Sequence, residues 1–329
     1  MHSPRSWRLS RRAALATLAA MAAAPAAVAQ SGAHRPIRLV VGFGPGSIND
    51  LTARELARYM AESLGQPVIV ENRPGAGGSL GTDLVAKSPP DGLTIGLGTS
   101  SQLVMNVALY RNLPFDVERD LRLIGLVSRG PMVLASKANG PGTLRALIAQ
   151  AKAQPGQVSY GSAGTGSISH IVGEAFARVA GVKLNHIPYK GNGPAMADLS
   201  GGHVDLVFDG ISTSRPMAQQ GRVRILAYGG RQRSPAIPRV PTFAEQGLAG
   251  YDAYSWNCLF VPAGTLDAEV ARLNQALNAA LALPAMKDKL AQGGVENLGP
   301  STPRQADDFG RAERARWVPF VRSLKLDVG

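Results

Sequence analysis

One local pattern recurs along this chain and restricts its fold more than any other feature: a short β-branched run, a glycine-rich turn, then apolar residues at helical spacing. Ile37 to Phe43 (IRLVVGF) is the first such run, and it stops at Gly44-Pro45-Gly46-Ser47. From Asn49 the spacing becomes helical, with Leu51, Leu56, Met60 and Leu64 on one side and Gly65 as the stop. Val68 to Val70 reads as a second strand, followed by Gly75-Ala76-Gly77-Gly78-Ser79 and a helix that must end before Pro89-Pro90. Leu93 to Leu97 is a third, opening through Gly98-Thr99-Ser100-Ser101. Three strand-turn-helix units in succession require a parallel sheet with helices on its faces.

The pattern returns after residue 150. Val158 to Tyr160 leads into Gly161-Ser162-Ala163-Gly164-Thr165-Gly166-Ser167 and a helix through Val172, Ala175, Phe176 and Val179 to Gly181. Strands are expected at Leu184 to Pro188, Val204 to Phe208 and Val223 to Tyr228, with a helix near Ala195 to Leu199. The chain therefore has two α/β halves, and 329 residues suffice to give each a core. Between them, Leu121 to Leu134 is long, apolar and extended, a crossing strand, and Leu259 to Pro262 supplies the return crossing. The helical run Glu269 to Leu281 then packs back on the first half. No low-complexity tether separates the halves.

The first 29 residues carry Arg5, Arg8, Arg11 and Arg12, no acid, and an alanine-rich apolar run ending in Ala27-Val28-Ala29. That is the layout of an export signal cleaved before Gln30. Ser10-Arg11-Arg12 with Leu15 resembles a twin-arginine signal. Beyond Gln30 no stretch of eighteen apolar residues occurs, so the mature chain is expected free in an extracytoplasmic compartment. Removing the four arginines takes the formal charge from +12 to 12 − 4 = +8. A single cysteine, Cys258, excludes an intramolecular disulfide and a thiolate zinc cluster. No metal and no cofactor is expected.

In an open parallel sheet ligands bind beyond the carboxyl ends of the strands, where these glycine turns and helix starts gather. Each turn offers unused main-chain N–H groups and the positive end of a helix, which together stabilise an anion without a side-chain cation. Residues 43 to 50 and 161 to 169 contain no Lys or Arg. A carboxylate there would be held by amides and by the hydroxyls of Ser47, Ser162, Thr165 and Ser167. Asp50 follows the first turn and Asp209 ends a strand, while His170 lies three residues into the second helix start. Asp50 also suits the first turn of a helix, and His170 also suits a cap.

Other chemistries lack their residues. The dinucleotide turn misses its last glycine at Gly42-Phe43-Gly44-Pro45-Gly46-Ser47, and no phosphate loop ending in Gly-Lys-Ser or Gly-Lys-Thr occurs. Around Ser162 the hydrolase elbow has Tyr160 in place of its first glycine. Aromatics are 5% and the cations are dispersed, which argues against nucleic acid as a partner. Arg311, Arg314 and Arg316 alternate with Glu313 and read as a solvated helix face.

Several long segments, in order from about residue 35 to about residue 325, resemble one family, the Bug-type substrate-binding receptors of tripartite tricarboxylate transporters. They are RPIRLVVGFGPGSIND (Arg35 to Asp50), GQPVIVENRPGAGGSLG (Gly65 to Gly81), SPPDGLTIGLG (Ser88 to Gly98), YGSAGTGSISH (Tyr160 to His170), HIPYKGNGPAMADLSGGHVDLVFD (His186 to Asp209) and VPTFAEQGLAGYDAYSW (Val240 to Trp256). The resemblance implies an α/β, two-lobed periplasmic-binding-protein fold of the type II, Venus flytrap kind, each lobe a mainly parallel sheet flanked by helices. Lobe 1 is expected to comprise 30–130 plus 260–329, and lobe 2 to comprise 131–259.

It also implies a small carboxylated ligand in the interlobe cleft and a two-component membrane permease as partner, with the chain a monomer. By position the ligand residues are Phe43, Gly44, Ser47, Ile48 and Asp50 on one side, and Ser162, Ala163, Gly164, Thr165, Ser167 and His170 on the other. Gly77, Gly78, Ser100 and Asp209 lie nearby. This chain departs from the family at Ser47, where glycine is common, which could narrow the pocket or add a contact. It departs again at Cys258 and at Leu266-Asp267. Two other readings remain open on the residues alone: an exported serine-dependent hydrolase using Ser162 or Ser167 with His170 and Asp209, and a ligand sensor for a membrane signalling partner.

Overall fold

In the computed structural model residues 35–326 are described, so the export signal and its cleavage site lie outside the described residues. β1 (Ile37–Val41), β2 (Val68–Asn72) and β3 (Thr94–Thr99) run parallel in the order β2-β1-β3. α1 (Ile48–Leu64) and α2 (Ser79–Ala86) follow the first two strands. A π-type turn, Ser101–Met105, leads from β3 into the short α3 (Asn106–Leu109). β3 is buried along its whole length, as a strand covered on both faces must be. α1 stops where the sequence said: Gly65 takes the left-handed conformation at φ 60° and turns its N–H back to Ala61 O.

The second sheet repeats the design. β5 (Ser159–Ser162), β6 (Asn185–Pro188) and β7 (Leu206–Gly210) are parallel in the order β7-β5-β6. They are accompanied by α4 (Leu144–Ala153), α5 (Ile168–Ala180), α6 (Asn192–Gly201) and α7 (Ile211–Gln219), with β8 (Val223–Tyr228) after them. From Pro36 onward the chain forms one compact unit.

The joint between the sheets is β4 (Leu121–Lys137), which belongs to both. Its first part, to Pro131, pairs antiparallel with β9 (Tyr254–Pro262); from Met132 on it pairs antiparallel with β7 and β8. At the changeover Met132 N–H donates to Ala253 O at 2.7 Å and Gly229 N–H donates to Met132 O at 2.8 Å. The crossing strands are thus antiparallel and the outer strands parallel. The return crossing falls at Tyr254, earlier than the expected Leu259. Its apolar signal is broken there by Ser255 and Asn257, whose alternating positions line the cavity described below.

β9 is followed by α8 (Asp267–Ala282), α9 (Pro284–Gln292), β10 (Glu296–Asn297) and α10 (Pro303–Ser323). α8 packs on α1 and α10 lies along β4. The expected solvated face of α10 holds at Arg311 and Arg316, which are exposed, and fails at Glu313, which is buried. Ala306, Trp317 and Val321 bury one side, and Glu313, itself buried, accepts from Tyr254 Oη at 2.7 Å and from Trp256 Nε1 at 3.0 Å. Burial pushes the Glu313 carboxyl up, while these two donors oppose the shift. Arg314 and Arg316 pair with Glu118 and Asp252, each at 3.1 Å. Alternating charges conceal a buried stripe when the acid's partners come from another element.

Cys258 packs in the core with no exposure, and burial pushes its thiol up. Leu266 stands before α8 and is 70% exposed. The tightest strand contact is at Gly96, where a Cβ would lie 2.2 Å from the Phe260 ring. Gly96→Val is therefore expected to lower stability by roughly 1–3 kcal/mol through overpacking, measured by denaturant unfolding.

Candidate functional site

A cavity of about 380 Å³ lies where the carboxyl ends of β3 and β7 face each other. The first lobe contributes Phe43, Ile48, Asn49 and Thr52 from the β1 turn and the start of α1, and Thr99, Ser100 and Ser101 from the end of β3. The second lobe contributes Ile168, Asn192 and the run Asp209 to Thr213 at the start of α7. Ser128, Gly130, Pro131, Met132, Ser255, Trp256 and Asn257 from the crossing strands, with Gly293 to Val295, complete it. No Lys, Arg or His is among the lining residues, and Asp209 is the only acid.

The first-lobe turn is stiffened from inside. Ser47 Oγ accepts from Asp50 N–H at 3.2 Å, capping α1, while Asp50 accepts from Gly46 N–H at 2.9 Å, so the two residues close the turn reciprocally. Asp50 also accepts from Arg54 Nε at 3.0 Å and from Asn72 Nδ2 at 2.9 Å. The Arg54 guanidinium chiefly, with Gly46 and Asn72, holds the Asp50 carboxyl at about 2 against the desolvation that would raise it. Neither Ser47 nor Asp50 lines the cavity. The Ser47 hydroxyl is spent as a cap, and Asp50 clamps the turn.

Gly77 and Gly78, both at positive φ, sit behind this turn and also outside the lining. Gln102 Nε2 donates to Gly78 O at 3.1 Å and Asn106 Nδ2 donates to Gly77 O at 3.2 Å, which fastens the β2 turn to the segment after β3. Ser100 differs. It is 2% exposed, it lines the cavity, and its Oγ has no hydrogen-bond partner among the described residues. A buried hydroxyl left unpaired carries a desolvation penalty of about 1–3 kcal/mol that a ligand could relieve.

The second-lobe turn is largely satisfied by its own atoms. Ala163 N–H donates to Ser169 Oγ at 2.9 Å, Gly164 N–H to Ser162 Oγ at 3.1 Å and Gly166 N–H to His170 Nδ1 at 2.9 Å. Ser167 caps α5, accepting from His170 N–H at 3.3 Å. Of this helix start Ile168 is among the lining residues; Ser162 and His170 are buried beneath the turn, Ala163, Gly164 and Ser167 are half-buried in it, and Thr165 is exposed. His170 stacks on His186 at 3.8 Å, and burial, with His186 adding to it, pulls His170 down to about 4. Ser162 Oγ lies 2.7 Å from His186 Nε2 and has no exposure, so Ser162, His170 and Asp209 do not form a hydrolytic triad.

This turn reaches the cavity through a relay. Ser169 Oγ donates to Asn192 Oδ1 at 3.1 Å, and Asn192 Nδ2 donates to Asp209 Oδ1 at 2.6 Å. Thr213 Oγ1 donates to the other Asp209 oxygen. Burial pushes the Asp209 carboxyl up, opposed by Thr213 and Asn192. α7 begins at Gly210 with no side-chain cap, and its first turn, Ile211 to Thr213, lies along the cavity wall beside Asp209.

Of the residues expected from the sequence, Phe43, Ile48, Ser100 and Asp209 line the cavity, and Gly44 stays in the adjoining turn. Asn49, Asn192, Thr213 and Asn257 were missed. Asn49 Oδ1 accepts from Asn257 Nδ2 at 2.9 Å, a contact between residues 208 apart in sequence. The same strand-turn-helix grammar could have found Gly191-Asn192 and Gly210-Ile211, which open α6 and α7.

Residues 52–326 match the family described as "Tripartite tricarboxylate transporter family receptor". The solved periplasmic binding protein BugD superposes with a TM-score of 0.76 at 32% identity, over 89% of this chain and 99% of that one. A protein from R. palustris solved with adipate gives 0.78 at 33%, over 88% and 98%. MatC from Rhodopseudomonas palustris, solved with bound malate, gives 0.75 at 31%, over 88% and 99%.

Proposed function

The chain belongs to the receptor family of tripartite tricarboxylate transporters, and from that premise we propose that it works in the periplasm, closing on a small carboxylated molecule in the cavity between its lobes and delivering it to a two-component membrane permease. The solved relatives that hold adipate and malate support a dicarboxylate as ligand. The lobes are taken as 36–131 with 254–326, and 132–253, divided where β4 changes partners.

The observation that carries this reading is the cavity's donor set. One wall contains Ser100, whose buried Oγ is unpaired among the described residues, the other contains the uncapped start of α7, and no cationic side chain lines the cavity. Neutral donors and helix-start amides hold a carboxylate without an ion pair, and both walls contact it only when the lobes are closed. Asp209 then acts as a positioning residue, holding Asn192 and Thr213 at the wall. No covalent step is involved.

Thermal-shift and calorimetric titration with acetate, benzoate, succinate, adipate, malate and citrate tests this. At least one di- or tricarboxylate is expected to raise the melting temperature; stabilisation by neutral or cationic compounds alone would overturn the reading. Ser100→Ala, which removes the hydroxyl without adding volume, is expected to weaken the best carboxylate by roughly tenfold, about 1–2 kcal/mol, while the ligand-free protein is no less stable, because the penalty of the unpaired hydroxyl goes with it.

A further inference from the structure

Behind the cleft wall, α7 continues into a second depression on the outer face of the second lobe. This groove, of about 430 Å³, lies between α7, β8 and the loop 236–240. Arg215, Arg224 and Arg239 stand around it, and no acid is among its lining residues. Its floor is apolar, with Val223, Ile225 and Ile237. The cations that look dispersed along the sequence are brought together here by folding.

Among the described residues none of these three arginines forms an ion pair with a carboxylate, and the local sequence gives the reason. Residues 210–244 contain six arginines and no Asp or Glu. Over 131–253 there are twelve Lys and Arg against six Asp and Glu. Those acids are occupied elsewhere: Asp205 pairs with Lys137, Glu245 with Arg233 and Asp252 with Arg316, Glu174 and Asp198 accept from the Tyr160 and Tyr189 hydroxyls, and Asp209 is inside the cleft wall. By contrast Arg38, Arg54, Arg58, Arg73, Arg122, Arg129 and Arg314 of the first lobe each meet a carboxylate. Arg224 donates to Gly140 O at 3.4 Å, a neutral acceptor.

We propose that this groove docks an acidic segment of a partner protein, a loop carrying Asp or Glu beside apolar side chains, and that the membrane permease supplies it. Three guanidinium groups around an apolar floor match a carboxylate-bearing peptide in both charge and shape. A concave site of this size with an apolar floor suits a peptide better than a flat lipid surface. The permease assignment rests on the receptor reading; the acidic-peptide chemistry does not. The groove is also connected to the cleft. Ile211, at the cavity wall, shares a core cluster with Ile237 of the groove floor and with Tyr228. A partner seated on Ile237 therefore presses on the packing that sets the position of the α7 start.

The test uses the full mature chain at low ionic strength, with the fluorescent capped peptide Ac-(Glu-Leu)3-NH2 and its Ac-(Gln-Leu)3-NH2 counterpart as probes. The triple variant Arg215→Ser/Arg224→Ser/Arg239→Ser is compared with Lys152→Ser/Lys183→Ser/Lys287→Ser, which removes the same charge from elsewhere. The acidic peptide is expected to bind the parent and the lysine variant alike, to lose at least about tenfold in the arginine variant, and to weaken steeply with added salt. Equal loss in both variants would reduce the effect to net charge and overturn the proposal. So would equal binding of the Gln peptide, or a groove-dependent preference for phosphatidylglycerol vesicles or inorganic phosphate over the peptide. The adipate-induced melting shift, followed in parallel, is expected to survive in the arginine variant. Absence of a melting shift from the parent with adipate and with every other di- and tricarboxylate tested would count against the carboxylate reading and leave the groove result standing.

Discussion

Asp50→Ala is expected to lower the stability of the protein by about 2–4 kcal/mol, the range for removing one partner of a buried charged network. Its carboxylate is 2% exposed and gathers donors from Gly46, Arg54 and Asn72, which belong to the β1 turn, to α1 and to β2. Loss of the acceptor leaves the Gly46 N–H and the Asn72 amide without it, and the turn that carries Phe43 into the cavity loses its clamp. The ligand-induced melting shift should therefore fall together with the melting temperature of the free protein. Asp50→Asn, which keeps one acceptor oxygen, should lie between the two.

The same residue fixes a pH window. Its folded value, about 2, lies below the ordinary 3.8, so its contribution is fully present above that ordinary value and is lost as pH falls toward the folded one. The shift corresponds to about 2 kcal/mol. A melting temperature unaltered in Asp50→Ala would show that the turn is held by Ser47 and its glycines alone.

That clamp also shows where reading the sequence stops. Ser47-x-x-Asp50 at a helix start is a local signal, and local hydrogen bonding made it both a cap and a latch. Gly65 and Gly181 ended their helices in the left-handed conformation, as glycine at those positions predicts. The cavity wall is different in kind. Asn257 meets Asn49 across 208 residues, Glu313 reaches back to Tyr254 and Trp256, and the start of α7 lines the same cavity as Ser100. Periodicity marks which turns are glycine-rich. It does not tell which turn faces the ligand space and which lies one layer behind, because that depends on the side chain each turn uses to satisfy its own amides. The turn 161–167 spends Ser162, Ser169 and His170 on itself. The α7 turn has Gly210 at its cap and spends no side chain there.

The layer behind the second wall should make the protein acid-sensitive well above the range in which carboxylates titrate. His170 is 3% exposed, its Nδ1 accepts from Gly166 N–H, and its ring lies flat on His186. It is thus held neutral, at about 4 against 6.5, and His186 is lowered by burial as well. A base whose folded value is lowered contributes stability that is complete above its ordinary value and lost as pH falls, because between the two values the unfolded chain takes up a proton that the folded chain refuses. For His170 this is about 1.4 kcal/mol per pH unit, or about 3 kcal/mol across the whole interval. Glu174, 3.9 Å from His170 Nε2, faces the incoming charge but already accepts from the Tyr160 hydroxyl at 2.6 Å, so it offsets part of the penalty and not all of it.

His170→Asn places an oxygen near the Nδ1 position and cannot titrate. It is expected to be less stable than the parent near pH 7 but to lose about one proton's worth of slope between pH 6.5 and 4 in denaturant unfolding. The Asp50 contribution, confined to lower pH, should remain in that variant. An unchanged slope would assign the proton uptake to His186 or to groups outside the stacked pair and remove His170 as its source.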